Sequence, residues 1–174
     1  PPTAREGNAV LEALRPHLRS ALPGFAEHDL RGAAPLARLS RQDGMAEAVS
    51  RGTVTPDHVI RIKPWPMVIP AGADAGTVAQ AAEAFAAAYT RYFEAHMDGN
   101  LTMLDRSPRV VFVPGAGVIG LGRSKSEARI NADLAEQNLR VAASAEALGG
   151  YQPLPRPEQF RIEYWELEQA KLRK

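Results

Sequence analysis

The sequence predicts an α/β layer fold, and three observations carry that expectation. Helical stripes alternate with short β-branched runs along the chain. Several helix starts carry Ser/Thr-x-x-Glu/Gln capping signals. Glycine and proline clusters separate the segments.

Taken in order, Thr3-x-x-Glu6 reads as a capping box, and Val10, Leu11, Leu14 and Leu18 form one helical stripe. Pro23-Gly24 ends that helix. Residues 25–42 read as loop, with a short strand at Leu36–Leu39, and Asp43–Ser50 as a short helix. His58–Ile62 and Met67–Ile69 are β-rich runs, with Pro64 and Pro66 making them edge-like. Thr77-x-x-Gln80 opens an Ala-rich helix running to about His96. Arg109–Val113 is a buried-looking strand, and PGAGVIGLG is a glycine turn followed by a second strand. Ser124-x-x-Glu127 caps a helix to about Leu148, with Ile130, Leu134, Val141, Ala145 and Leu148 on its expected apolar face. Gly149-Gly150 is a C-cap signal. A Pro-rich linker at 151–158 precedes a helix at Ile162–Leu172 that stops abruptly at Arg173-Lys174. The expected organisation is a leading segment 1–49, a core 50–150, and a linker with C-terminal helix 151–174. The chain reads as a segment of a longer protein.

Composition narrows the function. A net charge of +1 removes a strong electrostatic case for nucleic acid or an anionic membrane, and 6% aromatics argues against a base-stacking surface. The absence of cysteine excludes disulfides and thiolate chemistry and fits a reducing cytoplasm. No apolar run reaches the length of a transmembrane helix.

The motifs are ambiguous. Gly115-x-Gly117-x-x-Gly120 matches a dinucleotide-binding loop, but the residues after it read as strand where that motif opens a helix. Gly117-x-x-x-x-Gly122-Arg123-Ser124 misses a phosphate-binding P-loop by carrying Arg123 where lysine belongs. The start of the Ser124 helix, with Arg123 and Lys125, is still a candidate anion site, to which Arg61 and Lys63 could contribute. Of His17, His28, His58 and His96, no two have metal-ligand spacing. His58, with Asp57 to orient it, is the candidate for catalysis, set against a structural role. Trp65 and Trp165 read as packing or interface anchors.

The run Arg109 to Gly149 resembles the C-terminal half of class II aldolase/adducin domains. The segments GTVTPDHVIRIKPWPMVI, SPRVVFVPGAGVIGLGRSKSEARINAD and AEALGGY with the following IEYWELEQAKL extend the likeness. They resemble the central region of bifunctional proteins that join a rhamnulose-phosphate aldolase to a short-chain dehydrogenase. The resemblance implies a three-layer fold, a small mixed sheet flanked by helices. It implies a parent enzyme using zinc and NAD, with an upstream aldolase module, a downstream dehydrogenase module and a possible homo-oligomer as partners. Gly117 matches the family's turn glycine and Gly122 the glycine before the helix cap, while the zinc histidine falls on Ala116. Alanine offers no donor atom, and no H-x-H pair stands elsewhere. The dehydrogenase Tyr-x-x-x-Lys pair is also absent. The expectation is a degenerate domain without its own metal or cofactor, serving a structural, oligomerising or anion-binding role. The alternatives are a fragment contributing to an aldolase active site and a dinucleotide-binding module.

Overall fold

The computed structural model describes residues 4–172. Helix α1 (Ala4–Ala21) leads through a 3-10 turn (Pro23–Phe25) into strand β1 (Glu27–Arg31). Three short helices follow, α2 (Ala34–Ser40), α3 (Met45–Ser50) and α4 (Pro56–Ile62). Strand β2 (Met67–Val68) precedes the long helix α5 (Ala75–His96). Strands β3 (Val110–Val113) and β4 (Gly117–Gly122) form a hairpin that feeds α6 (Lys125–Ala147), and α7 (Arg156–Glu163) and α8 (Glu166–Lys171) close the described chain.

The strands form one mixed sheet in the order β1-β4-β3-β2. β4 runs antiparallel to both neighbours, and β2 lies parallel to β3. Alternation along β3 sends Val111 and Val113 to one face, where they join Leu11, Leu14 and Leu18 of α1 and Phe85 and Tyr89 of α5. Val110 and Phe112 go to the other face and meet Leu36, Met45 and Leu139 from α2, α3 and α6. Helices therefore cover both faces, which is the expected three-layer mixed-sheet architecture.

Several local expectations are corrected. His58–Ile62 is helical, because Thr55 caps it and Pro56 occupies the first turn, where a missing N–H is harmless. Leu36–Leu39 also lies in a helix, and the strand in that region is β1, which supplies the sheet's outer strand from the leading segment. The N-cap of α5 is Asp74, whose carboxylate accepts the Thr77 amide at 2.7 Å. The C-terminal helix is broken at Tyr164-Trp165. Thr3 and the Arg173-Lys174 end lie outside the described residues.

Helix α6 starts as expected. The Ser124 hydroxyl accepts the Glu127 amide at 3.2 Å, and the Glu127 carboxylate accepts the Arg123 amide at 2.7 Å. It ends in a Schellman pattern, Gly150 N–H donating to Ala145 and Gly149 N–H to Glu146. Its buried face is not the large apolar one. Ala128, Asn131, Ala132, Ala135 and Asn138 face inward, while Val141 and Leu148 are exposed. The sheet dictates this choice. A Cβ on Gly120 would stand 2.2 Å from the Ala128 carbonyl oxygen, and one on Gly122 would stand 2.3 Å from the Ala128 nitrogen. Glycine strand and alanine helix thus approach at backbone contact.

Gly120→Ala is expected to lower stability by about 3 kcal/mol, since a backbone clash forces the helix outward. Gly24→Ala, where a Cβ would meet nothing within 4 Å, is expected to change it by less than about 0.5 kcal/mol. Urea unfolding of both variants against the parent chain measures the contrast.

Candidate functional site

The two ends of β4 present different chemistry, separated by roughly 17 Å at about 3.3 Å per residue. At its start lies the glycine turn. Gly115 adopts a left-handed φ of 77°, as a tight turn requires. Ala116 is 1% exposed and belongs to the apolar core. A hollow of about 320 Å³ beside it is lined by Gly7, Val10, Arg41, Ala71 and Pro114 along with the turn. These residues offer neither imidazole nor carboxylate, so a zinc ion has no donors here and the site does not fit the family's metal. Nor does the glycine run fit a dinucleotide. Gly117 pairs with Val113 inside the sheet, and Gly120 and Gly122 lie under α6, so these positions serve packing.

At the other end, a cleft of about 660 Å³ opens between the end of α4, the 104–109 loop, the start of α6 and α7–α8. Four residues singled out in the sequence meet there: Arg61, Lys63, Arg123 and Ser124. Arg109 joins them. Its guanidinium is held by the Ser107 carbonyl at 2.7 Å and by Asp105 at 3.3 Å, over the Phe25 ring. The carboxylates lining the cleft are already engaged: Asp105 with Arg109, Glu127 in the helix cap and Glu163 with Lys63. Among the described residues, the Arg61 and Arg123 guanidiniums have no carboxylate partner. The cleft wall is therefore a cationic surface facing a water-accessible space.

Lys63 is the most unusual residue of the chain. It follows α4 directly and precedes Pro64, which disfavours the helical conformation for it. It takes φ 65° and ψ 169°, a region almost confined to glycine and worth about 1–3 kcal/mol of strain. The turn directs its side chain inward, where the residue is 4% exposed. The ammonium stands over the Tyr89 ring, 3.4 Å from its centroid, and 3.8 Å from Glu163. Glu163 is 1% exposed. Its Oε1 accepts the Tyr89 hydroxyl at 2.8 Å, and Tyr89 also meets the Tyr164 hydroxyl at 2.8 Å, which in turn accepts the Leu104 amide. Glu163 Oε2 is buried and has no partner. Burial pushes Lys63 down to about 7, against the pull of Glu163, and pushes the Glu163 carboxyl up. Both groups are driven toward their uncharged forms.

The remaining sequence candidates lie elsewhere. His58 is 3% exposed, with its Nδ1 at 2.7 Å from the Thr55 hydroxyl, and does not line the cleft. Burial lowers its pKa, opposed by Asp57. Asp57 is exposed and lies 3.5 Å from Lys171, so Thr55 rather than Asp57 holds the imidazole. Lys125 sits on the outer side of the α6 start and does not line the cleft. The TPDH segment and the glycine turn do not converge, since the end of α4 faces the far end of β4. Glu163, Arg109 and Tyr89 escaped the sequence reading. The available signal was a lone carboxylate on the aromatic stripe Phe160–Glu163–Tyr164.

The Lys63 shift has a signed consequence for stability. Between about 7 and the ordinary 10.5, the folded chain has released a proton that the unfolded chain still holds, so this group adds stability as pH rises. Glu163, raised above 4.5, acts oppositely as pH climbs through its range. Lys63→Met is expected to abolish the gain on the alkaline side. Thermal unfolding of parent and variant between about pH 7 and 10 should show the parent gaining stability relative to the variant as pH rises.

Comparison with known proteins agrees with this architecture. Residues 8–172 match the family described as "Aldolase class II, second domain". The chain is 30% identical over 135 residues to the Bacillus subtilis protein "Uncharacterized oxidoreductase YuxG", covering 73% of this chain and 20% of that one. It therefore spans about a fifth of that relative's length. The crystal structure of YgbL from Escherichia coli, a putative aldolase/epimerase/decarboxylase, superposes with a TM-score of 0.55 at 16% identity, covering 88% of this chain and 65% of that one. The L-fuculose 1-phosphate aldolase of Glaciozyma antarctica gives 0.55 at 14% identity, covering 90% and 50%. With its three-layer fold and its match along almost the whole length, the chain belongs to the class II aldolase family, as a second domain of that class.

Proposed function

We propose that this domain is a degenerate class II aldolase unit that binds a small anion, within a longer protein pairing aldolase and short-chain dehydrogenase modules. Its observation is the pair of guanidiniums, Arg61 and Arg123, facing one cleft without carboxylate partners among the described residues. The ligand is a phosphate or carboxylate group, such as that of a sugar phosphate. Ser124 and the first amides of α6 add donors and the positive end of the helix dipole. The cleft volume of about 660 Å³ lies in the range of small-ligand sites. Zinc and NAD belong to the neighbouring modules, because the turn around Ala116 lacks donors and the glycine run is packed. The domain packs between those modules or completes an oligomer, in the cytoplasm. No described helix is long and apolar enough to cross a membrane.

Titration calorimetry with inorganic phosphate tests the reading. Binding at micromolar to millimolar concentration is expected. Arg61→Ala and Arg123→Ala should each weaken it about tenfold, the loss of one charge-assisted contact. Added salt should weaken it further. Absence of binding at millimolar phosphate, or a tightly held zinc ion ligated by His58, overturns the proposal.

A further inference from the structure

We infer that Lys63 is a carbonyl-capturing amine at the floor of the cationic cleft, and that Glu163 is its proton partner. The inference rests on the anion-binding reading above, because Arg61 and Arg123 would deliver an anionic carbonyl compound to it.

Three geometric facts carry it. Lys63 keeps a strained backbone conformation at the end of α4, which sends its side chain into the cleft floor rather than into solvent. A surface lysine at a helix end needs no such strain. Its partner, Glu163, is wholly buried and lines the same cleft, with Oε2 and the neighbouring Tyr92 hydroxyl both without a hydrogen bond at normal geometry. An unpaired buried carboxyl oxygen is costly unless something else meets it. Finally, cationic groups surround the mouth. Arg61 and Arg123 line the cleft, and Arg109, paired with Asp105, lines it as well. The groups that face the amine are Glu163, Tyr89, Arg109 and Asp105. Burial and Arg109 favour the neutral amine, while Glu163 and Asp105 oppose them. A neutral amine is the nucleophilic form.

The step balances without any further reagent. The Lys63 nitrogen lone pair attacks the carbonyl carbon, a C–N bond forms, and the carbonyl π pair moves to oxygen. A nitrogen proton passes to that oxygen and gives the carbinolamine. Glu163, in its acid form, protonates the departing hydroxyl, which leaves as water. The nitrogen then returns a proton to Glu163 as the C=N bond closes. Amine and carbonyl compound become imine and water, and Glu163 ends as it began. The ligand class is a small aldehyde or ketone carrying a phosphate or carboxylate.

Pyridoxal 5′-phosphate serves as the probe, since it carries both an aldehyde and a phosphate. The full chain is incubated with it near neutral pH, reduced with sodium borohydride, and mapped by peptide mass spectrometry. The chain has four lysines, Lys63, Lys125, Lys171 and Lys174, so the label has few destinations. One label per chain on Lys63 is expected, protected about tenfold by inorganic phosphate. Pyridoxal, which lacks the phosphate, should label Lys63 about tenfold less well. Lys63→Arg should lose the label and retain phosphate binding. Glu163→Gln should slow labelling across the pH range, whereas losing a carboxylate that acts only through its charge would free more neutral amine and speed it. Labelling confined to Lys125, Lys171 or Lys174 while phosphate still binds overturns the amine assignment and leaves the anion site standing. Equal labelling of Lys63 by the two probes, with no protection by phosphate, removes the anion reading and leaves the amine.

Discussion

The close seating of α6 on β4 is the constraint on which the rest of the structure depends. A helix normally lies about 10 Å from a sheet, because side chains stand between them. Here Gly120 and Gly122 remove the strand's side chains and Ala128 and Ala132 shorten the helix's. Backbones meet, and the position of α6 along β4 is fixed by contact rather than by adaptable packing. That fixes where the helix begins. Ser124 and Arg123 arrive at the same end of the sheet as the end of α4, and the cleft exists because of it. Asn131 reinforces the arrangement by donating its side-chain amide to the Leu121 carbonyl at 2.8 Å.

A second constraint acts from the C-terminal side. Helix α7 is strapped to the α3–α4 region by polar contacts from its inner face. Arg156 donates to the Pro64 and Ser50 carbonyls, and Gln159 donates to the Arg51 carbonyl. These bonds hold the backbone on both sides of α4. Lys63 can then persist in a conformation it would leave if free, since the neighbouring chain has nowhere to relax. The same strap places Glu163, one helical heptad beyond Arg156, opposite the ammonium. Strain in the backbone, desolvation of the amine and desolvation of the carboxyl are thus concentrated at one spot. Each alone would destabilise, and the aromatic wall of Tyr89 and Tyr164 offsets part of the cost through ring and hydroxyl contacts.

The layer architecture was legible because it rests on local signals. The β3–β4 hairpin and the long helices carry period, cap and turn signals within ten residues of one another. What failed was whatever depends on partners far away in sequence. Val59, Ile60 and Ile62 read as strand by their branched side chains, yet Thr55-Pro56-Asp57 is a helix start, and burial against α6 and α7 makes branched residues acceptable in it. β1, EHDLR, has no apolar alternation because it is an edge strand of intermediate exposure. The inward face of α6 departs from its large apolar stripe because Gly120 and Gly122 admit only small residues above them, and Leu139 packs farther along on Val110 and Phe112. In the site, the cations Arg61, Lys63 and Arg123 could be named from their neighbours, but Glu163 reaches Lys63 only through the fold, 100 residues away along the chain. Hence the charges of the cleft were visible in the sequence and its buried proton partner was not.

The two ends of β4 then answer different physical questions. At Ala116 a methyl group completes an apolar cluster, and a metal cation placed there would lose water without gaining imidazole or carboxylate donors. At Arg123 the strand delivers a cation to a space that water reaches. The second end gathers Arg61, Arg123 and Ser124 around one such space, with more polar groups for a ligand than the lone Arg41 at the first. Of the two ends of β4, the α4–α6–α7 side thus holds the larger set of polar groups around a water-accessible space. The deepest groups there, Lys63 and Glu163, are poised near neutrality of charge because the fold makes either ion expensive alone.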